Sequence, residues 1–474
     1  MTPSGGLWTG WGRDEGGFPP NDQEHQERKG LRLEFLQKIS SDWESRFQAM
    51  FWKYQRYGSV ALPKGQVNWP ALTETYFAER SDQPQNYWII SDDTTGRYNL
   101  GPIKGQSTFG FTTVDAVSES RISTIGPATA NFGVNDLYTV SLVSAASVNA
   151  MVIPPASAYA YPLLFTRSKV LQDYVYYQQN LEVIPSRLSL VGGFTWANIE
   201  TVSDTNAAFN APYTATDTNG TQWLHRFGAI LRLTKDSMIY ALDSTSFSPG
   251  AGVDINNNRL PNIHGRGDEV GVKTAFFGGK VSSTFSVYKM SLTNQAVIGP
   301  GRNSFNVAYS IPIGSTTSTG FDGDLELSIV PGFQMIATVY NGIVKDQNGN
   351  KAINATYDNS WSLFTRYEFD NEGHAIAGVL KGVAVGGGFS RIGSFWQATT
   401  NFTVAPGYVL PPVVKAHEGN MINLFVEDKF AKHWTVRVNC ANVLNEAFVI
   451  GGQTPYKVDP SLPRTLSVSG NYKY

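Results

Sequence analysis

Two kinds of connection alternate along this chain, and that alternation limits the possible folds more than any other feature. Some links between candidate strands are tight pairs: Pro185-Ser186, Lys235-Asp236, Gly278-Gly279, Pro331-Gly332 and Ala431-Lys432. The links between them are long and polar, covering 204–221, 248–268, 294–320, 344–359, 397–419 and 451–463. A soluble sandwich or a propeller gives no reason for such a rhythm over so many hairpins. No internal repeat of the blade type is present either. A transmembrane β-barrel does give a reason, because its strands meet in short turns on one side of the membrane and in long loops on the other.

The last stretch shows the character of the strands. From Arg464 onward Leu466, Val468, Gly470, Tyr472 and Tyr474 fall on one face, and Thr465, Ser467, Ser469, Asn471 and Lys473 on the other. In a soluble sandwich the apolar face would meet a core. In a barrel it meets lipid, with tyrosines at the interface and polar groups in the lumen. The stretch 223–234 repeats the pattern. Trp223, His225, Phe227, Ala229, Leu231 and Leu233 lie on one side, with Arg226, Arg232 and Thr234 on the other.

Composition supports the same class. Charged residues make up 16% of the 474 residues, against roughly 25% in typical soluble proteins, while aromatics reach 13% and glycines number 46. No run of about 18 apolar residues occurs, so a helical membrane bundle is excluded; alternating barrel strands are not, because their hydropathy averages out. A net charge of -2 offers no field for nucleic acid. A single cysteine, Cys440, excludes an internal disulfide framework and a CxxC site. Residues 1–17 lack the basic and apolar regions of a secretory signal, so the start of the protein is expected upstream.

Along the chain, residues 1–29 read as a loop or a truncated start, and the barrel is assigned to 30–474, best supported over 170–474. Gly30 to Tyr57 reads as a hairpin turning at Ser40-Ser41-Asp42, although Trp43 to Arg46 is also compatible with a short helix. Between Gly58 and Pro162 the signal weakens to strands at Tyr87–Ile90, Thr108–Val117 and Leu137–Val148. Val170–Ile184 and Val379–Phe395 exceed the roughly ten residues that cross a bilayer at a tilt, as expected of strands projecting beyond it.

Four segments carry a family resemblance. Leu260-Pro261 is followed by Glu269-Val270-Gly271-Val272-Lys273. Further on come Gly323-Asp324-Leu325-Glu326, then the segment from Val438 to Asn445, then Pro463-Arg464 with an aromatic last residue. In order and in spacing from the C-terminus the set resembles the barrel of TonB-dependent outer-membrane receptors, most like the ferric-siderophore class. Asp324 replaces that family's first glutamate, and Asn445-Glu446-Ala447-Phe448 replaces its D-x-x-Y.

The resemblance implies an all-β fold, a large antiparallel transmembrane β-barrel of about 22 strands. The first strands, the N-terminal plug and the TonB-contacting box are not visible in the sequence. It also implies a non-enzymatic protein of the outer membrane of a Gram-negative-type bacterium. Its partners would be membrane lipid, a bulky scarce ligand such as a ferric siderophore, and an inner-membrane energy-coupling complex acting through a plug. Two alternatives stand beside it: a plugless porin-like diffusion channel, and a soluble secreted all-β carbohydrate-binding protein.

Other motifs have plain explanations. Asp254–Asn258 and Asp346–Asn350 begin like calcium loops but carry Arg259 and Lys351 where such loops need glycine. Arg266-Gly267-Asp268 reads as a chance adhesion tripeptide in a loop. The histidines His25, His225, His264, His374, His417 and His433 show no ligand spacing. Asp92-Asp93 and Glu368/Asp370 read as strand ends, and Cys440 as a small hydrophobe on an apolar face. Trp43, Trp196, Tyr340, Trp361, Trp396 and Trp434 read as interfacial girdle anchors. The sequence assigns no catalytic, cofactor-binding or metal-ligating residue, and it leaves the ligand-binding residues open.

Overall fold

The computed structural model describes residues 23–63, 73–125, 138–141, 150, 152–159, 161–206, 214–250, 253–256, 258–302, 308–351, 357–369, 380–398, 403–405, 408–409, 413–430, 433–452 and 458–473. Its main body is one 18-stranded antiparallel sheet. In chain order the strands are β1 (Gln23–Lys38), β2 (Trp43–Pro63), β3 (Thr73–Leu100), β4 (Ile103–Thr124), β5 (Tyr138–Ser141), β6 (Tyr161–Ile184), β7 (Leu188–Asn206), β8 (Thr214–Arg232) and β9 (Ser237–Ser248). They continue as β10 (Ile263–Phe276), β11 (Val281–Arg302), β12 (Ala308–Leu327), β13 (Phe333–Asp346), β14 (Asn359–Glu368), β15 (Val383–Ile392), β16 (Gly419–Phe430), β17 (Trp434–Ala441) and β18 (Thr465–Tyr472). Successive strands pair with each other, except that the short β5 extends the edge of β3 and β4 pairs directly with β6. Among the described residues β1 pairs only with β2, and β18 only with β17.

The short turns gather at one end of this wall and the long connections at the other. The turns use the backbone freedom that tight reversals need. Ser186 has φ 59° in the β6–β7 turn, and Gly332 has φ 76° in the β12–β13 turn. A Cβ on Gly332 would lie 2.3 Å from the carbonyl oxygen of Glu368. The Ala431-Lys432 pair lies outside the described residues.

Several sequence expectations need correction. Gln23–Lys29 is the start of β1, not loop, and Trp43–Arg46 is strand, not helix. Tyr87–Ile90 is a fragment of the 28-residue β3, and Thr108–Val117 a fragment of the 22-residue β4. Of Leu137–Val148 only the strand β5 is described. Much of 294–320 extends the β11–β12 hairpin, with Ala296 opposite Pro312 and register shifts around Gln295. In the other direction, Val379–Phe395 shrinks to the 10-residue β15. The strands that run longer than their alternation share a physical reason. Outside the bilayer both faces of a strand meet water, so Glu79–Gln85 of β3 shows no alternation and even accepts Pro84 opposite Gln55.

At about 3.3 Å per residue, the 28 residues of β3 span about 90 Å, far beyond what roughly ten residues cover in crossing hydrocarbon. Register shows how the two faces separate within the membrane-crossing part. On the convex side Leu190, Ala229, Ala241, Val270, Val287 and Phe321 lie directly across from one another. Near the C-terminus the same side carries Val426, Val438 and Val468 in one row and Leu424, Cys440 and Leu466 in the next. These apolar side chains face outward; Val270 is 56% exposed and Leu466 71%. Trp434 against Tyr472 (5.0 Å between ring centroids) closes the belt at the turn end, and Trp361 against Phe389 (4.6 Å) lies near its upper limit. Tyr340 departs from the girdle expectation. It faces inward, opposite Asp322 and Ser360. Trp396 sits in a hairpin strand outside the main sheet (Phe395–Ala398 with Val413–Ala416).

The long-connection end is held by two small buried clusters: Ala61, Tyr76, Ala78, Ile153 and Tyr159, and Phe395, Ala416 and Val449. It is also held by a latch that explains the Val438–Asn445 segment. Asn442 is fully buried with φ 49°. Its Nδ2 donates to the carbonyls of Glu446 (2.9 Å) and Leu462 (2.8 Å), and its Oδ1 accepts the Glu446 N–H (3.0 Å). Asn445 Oδ1 accepts the Arg464 N–H at 3.0 Å, which ties in the Pro463-Arg464 pair.

Two outcomes are expected. Asn442→Ala removes three side-chain hydrogen bonds from a buried site and lowers stability by about 2–3 kcal/mol, read as an earlier unfolding transition in detergent. Val270→Arg places a charge on the lipid face and costs about 2–4 kcal/mol of insertion stability, whereas Thr284→Arg on the lumen face costs far less. Equal costs for these two in a bilayer refolding titration would contradict the assignment of faces.

Candidate functional site in the lumen wall

The concave face is polar from the turn end upward, and its character changes with height. Near the turns of β14–β17, charge is paired. Arg366 bridges Glu368 (2.8 Å) and Glu427 (3.0 Å), and Lys429 reaches Glu368 at 2.8 Å. The Arg437 guanidinium lies 3.7 Å from the Phe425 ring centroid. Across β9–β13 tyrosines take over. The Tyr240 hydroxyl donates to Glu269, and the buried Ser286 hydroxyl donates to Asp322 at 2.5 Å. Tyr288 lies over Gly320 and Gly342; a Cβ on either glycine would come within 2.7 Å of its hydroxyl, so these positions admit the ring only as glycines.

Higher on the same face is a recess of about 720 Å³. The alternation of β7, β8, β9 and β10 turns Gly193, Arg226, Ser244 and Gly267 into it in one row. Leu224, Met290, Leu292 and Val344 add apolar surface on its upper side. The sequence placed Arg226 on the polar face. What it did not reveal is that the residues opposite Arg226 are Gly193 and Ser244, so the cation has no carboxylate across from it.

On the convex face at the upper edge of the belt, His225 Nε2 meets Asp243 Oδ1 at 2.6 Å, and Arg266 donates to Asp243 at 2.8 Å and to Asp268 at 3.4 Å. Arg266-Gly267-Asp268 is therefore part of strand β10, not a loop; its two charges face outward in ion pairs and its glycine faces the recess. Asp92 and Asp93 are likewise mid-strand, on opposite faces of β3, bound to Ser45 and Arg46 respectively. His374 and Asp370 lie outside the described residues.

The calcium-like stretches use their carboxylates locally. Asp254 Oδ1 accepts the N–H groups of Asn256 (2.9 Å) and Asn258 (2.8 Å), and Asp346 does the same with Asn348 and Asn350. The Asn258 N–H, foremost, holds the Asp254 carboxyl below its ordinary range. Because the folded value is depressed, these bonds contribute above the ordinary aspartate range and fade as pH falls through the lowered folded value. Hydrogen exchange at Asn256 and Asn258, corrected for intrinsic rates, is expected to show protection near neutral pH that acid removes. Asp254→Ala is expected to abolish that protection at every pH.

The sequence profile described as "TonB dependent receptor-like, beta-barrel" matches residues 2–443, so it takes in the strands upstream of Val170 as well. The metal-pseudopaline receptor CntO of Pseudomonas aeruginosa is 24% identical over 255 residues, covering 52% of this chain and 33% of that protein. The ferripyoverdine receptor of the same organism is 23% identical over 234 residues, covering 46% of this chain and 28% of its own. The solved structure of the ferripyoverdine receptor bound to ferripyoverdine superposes with a TM-score of 0.79 at 15% identity, covering 96% of this chain and 57% of that one. The closed form of the ferric-catecholate import receptor Fiu from Escherichia coli gives a TM-score of 0.76 at 14% identity, covering 96% and 65%. The sequence matches thus span about a third of the length of these relatives. With its sheet, its two faces and the profile match in agreement, the chain belongs to the TonB-dependent receptor-like β-barrel family, whose members reside in the bacterial outer membrane.

Proposed function

We propose that this chain forms the barrel wall of a receptor for energised uptake of a ferric siderophore, working with an inner-membrane energy-coupling complex through a plug. The observation that carries the proposal is the graded lumen face. Paired charges line the turn end of β14–β17, and an open, part-apolar recess lies beneath the long connections, where an incoming ligand first meets the wall. The relatives named above, receptors for ferripyoverdine and metal-pseudopaline, support the ligand class. A wide lumen leaks unless it is filled, which supports a plug.

The test is iron uptake in the producing bacterium under iron limitation, with and without the gene. Loss of radiolabelled ferric-siderophore uptake on deletion is expected, as is abolition of uptake when the proton gradient is collapsed. Unchanged uptake in the deletion strain removes the proposal. Steady single-channel conductance of the complete gene product, together with gradient-independent entry, establishes a diffusion channel instead.

A further inference from the structure

We infer that the recess on the lumen face of β7–β10 is a binding subsite for an anionic chelate with an apolar or aromatic body, and that Arg226 is its charge-recognising residue. The inference deepens the receptor proposal, and rests on it only in taking the lumen as the path of the ligand.

Three observations carry it. The first is charge. Arg226 is exposed on the concave face, and its side chain has no hydrogen-bond or ion-pair partner among the described residues. Below it on that face Arg366 and Lys429 hold carboxylates, and the carboxylate of Glu269 takes the Tyr240 hydroxyl. An unpaired guanidinium facing a part-apolar recess is a fork of donors suited to carboxylate, catecholate or another anionic oxygen.

The second observation is shape. The floor next to Arg226 consists of Gly193 and Gly267, so the wall is hollow there for want of side chains. At Gly267 a Cβ would meet nothing nearer than 3.8 Å, from Met290 and Ser244. Neither packing nor backbone conformation requires glycine at that point, and the space is open.

The third is surface chemistry. Met290 and Leu292 lie 50% and 40% exposed on the lumen face. Apolar side chains turned into the lumen are stabilised by a ligand that covers them. An anion with an apolar body satisfies both this surface and Arg226. A simple inorganic anion satisfies only the second.

Equilibrium binding to the purified full chain in detergent tests this, using two iron probes of similar size. Iron(III) tris-catecholate is an anion, and iron(III) tris-acetohydroxamate is neutral. At about pH 9 both complexes hold three chelating ligands. The wild-type chain is expected to prefer the anion. Arg226→Gln is expected to weaken anion binding about tenfold or more and to leave the neutral probe unchanged, and Arg226→Lys to recover most of the loss. Gly267→Leu, which fills the recess and keeps the charge, is expected to weaken both probes. Circular dichroism and the thermal transition establish that each variant is folded. No preference for the anion in the wild-type chain, or equal effects of Arg226→Gln on both probes, overturns the inference. Should uptake be unchanged in the deletion strain while anion binding still depends on Arg226, the receptor proposal falls and the subsite stands.

Discussion

A hydrocarbon layer offers no water to backbone N–H and C=O groups, and the whole structure follows from satisfying them within the sheet. Each strand finds its partner in the next, in an antiparallel register that runs without interruption through most of the wall. The short turns leave few backbone groups exposed at one end. The long connections lie where water can satisfy them, and some of their backbone pairs into small hairpins such as Val449–Gly452 with Val458–Pro460. Among the described residues the outer edges of β1 and β18 carry no partner strand.

Once the sheet separates lipid from lumen, the two faces answer to different solvents. The convex face is apolar in rows that climb from strand to strand. Its charged groups, Asp243, Arg266 and Asp268, come at the upper edge of the belt and are paired there. The concave face carries polar groups along its height, and the buried apolar clusters among the described residues belong to the long-connection end. Tyrosines lying over glycines, as Tyr288 does over Gly320 and Gly342, pack the lumen side of the sheet.

How much of this was legible in the sequence depended on whether two solvents met the strand. Where lipid and water face each other across it, as in β8, β10 or β18, period-two alternation marks the strand and its inward residues, Arg226 and Arg232 among them. Where water meets both faces, as in the upper part of β3, the alternation vanishes although pairing continues, so strands were read as loop. Tyr340 was read as a girdle residue because an aromatic near a strand end is ambiguous until the face is known. The Arg266-Gly267-Asp268 tripeptide was placed in a loop because three small or charged residues resemble one locally. Pairing on both sides, with β9 and β11, makes it strand.

The sequence by itself determined the class: an all-β membrane-spanning wall with short turns at one end and long connections at the other. It also determined which face is apolar in the strands with clear alternation, such as β8 and β18. Both are periodic properties of a single strand and its links, and a single strand's periodicity can be read without its neighbours. The tertiary structure alone decided register, and with it everything that depends on residues from different strands lying opposite one another. Arg226 beside Gly193 and Ser244, Asn442 beneath Leu462, and Tyr288 over Gly342 are separated in the chain and meet only through pairing. The lumen recess exists because two glycines from β7 and β10 fall in one row with an unpaired arginine, and no local pattern encodes that coincidence.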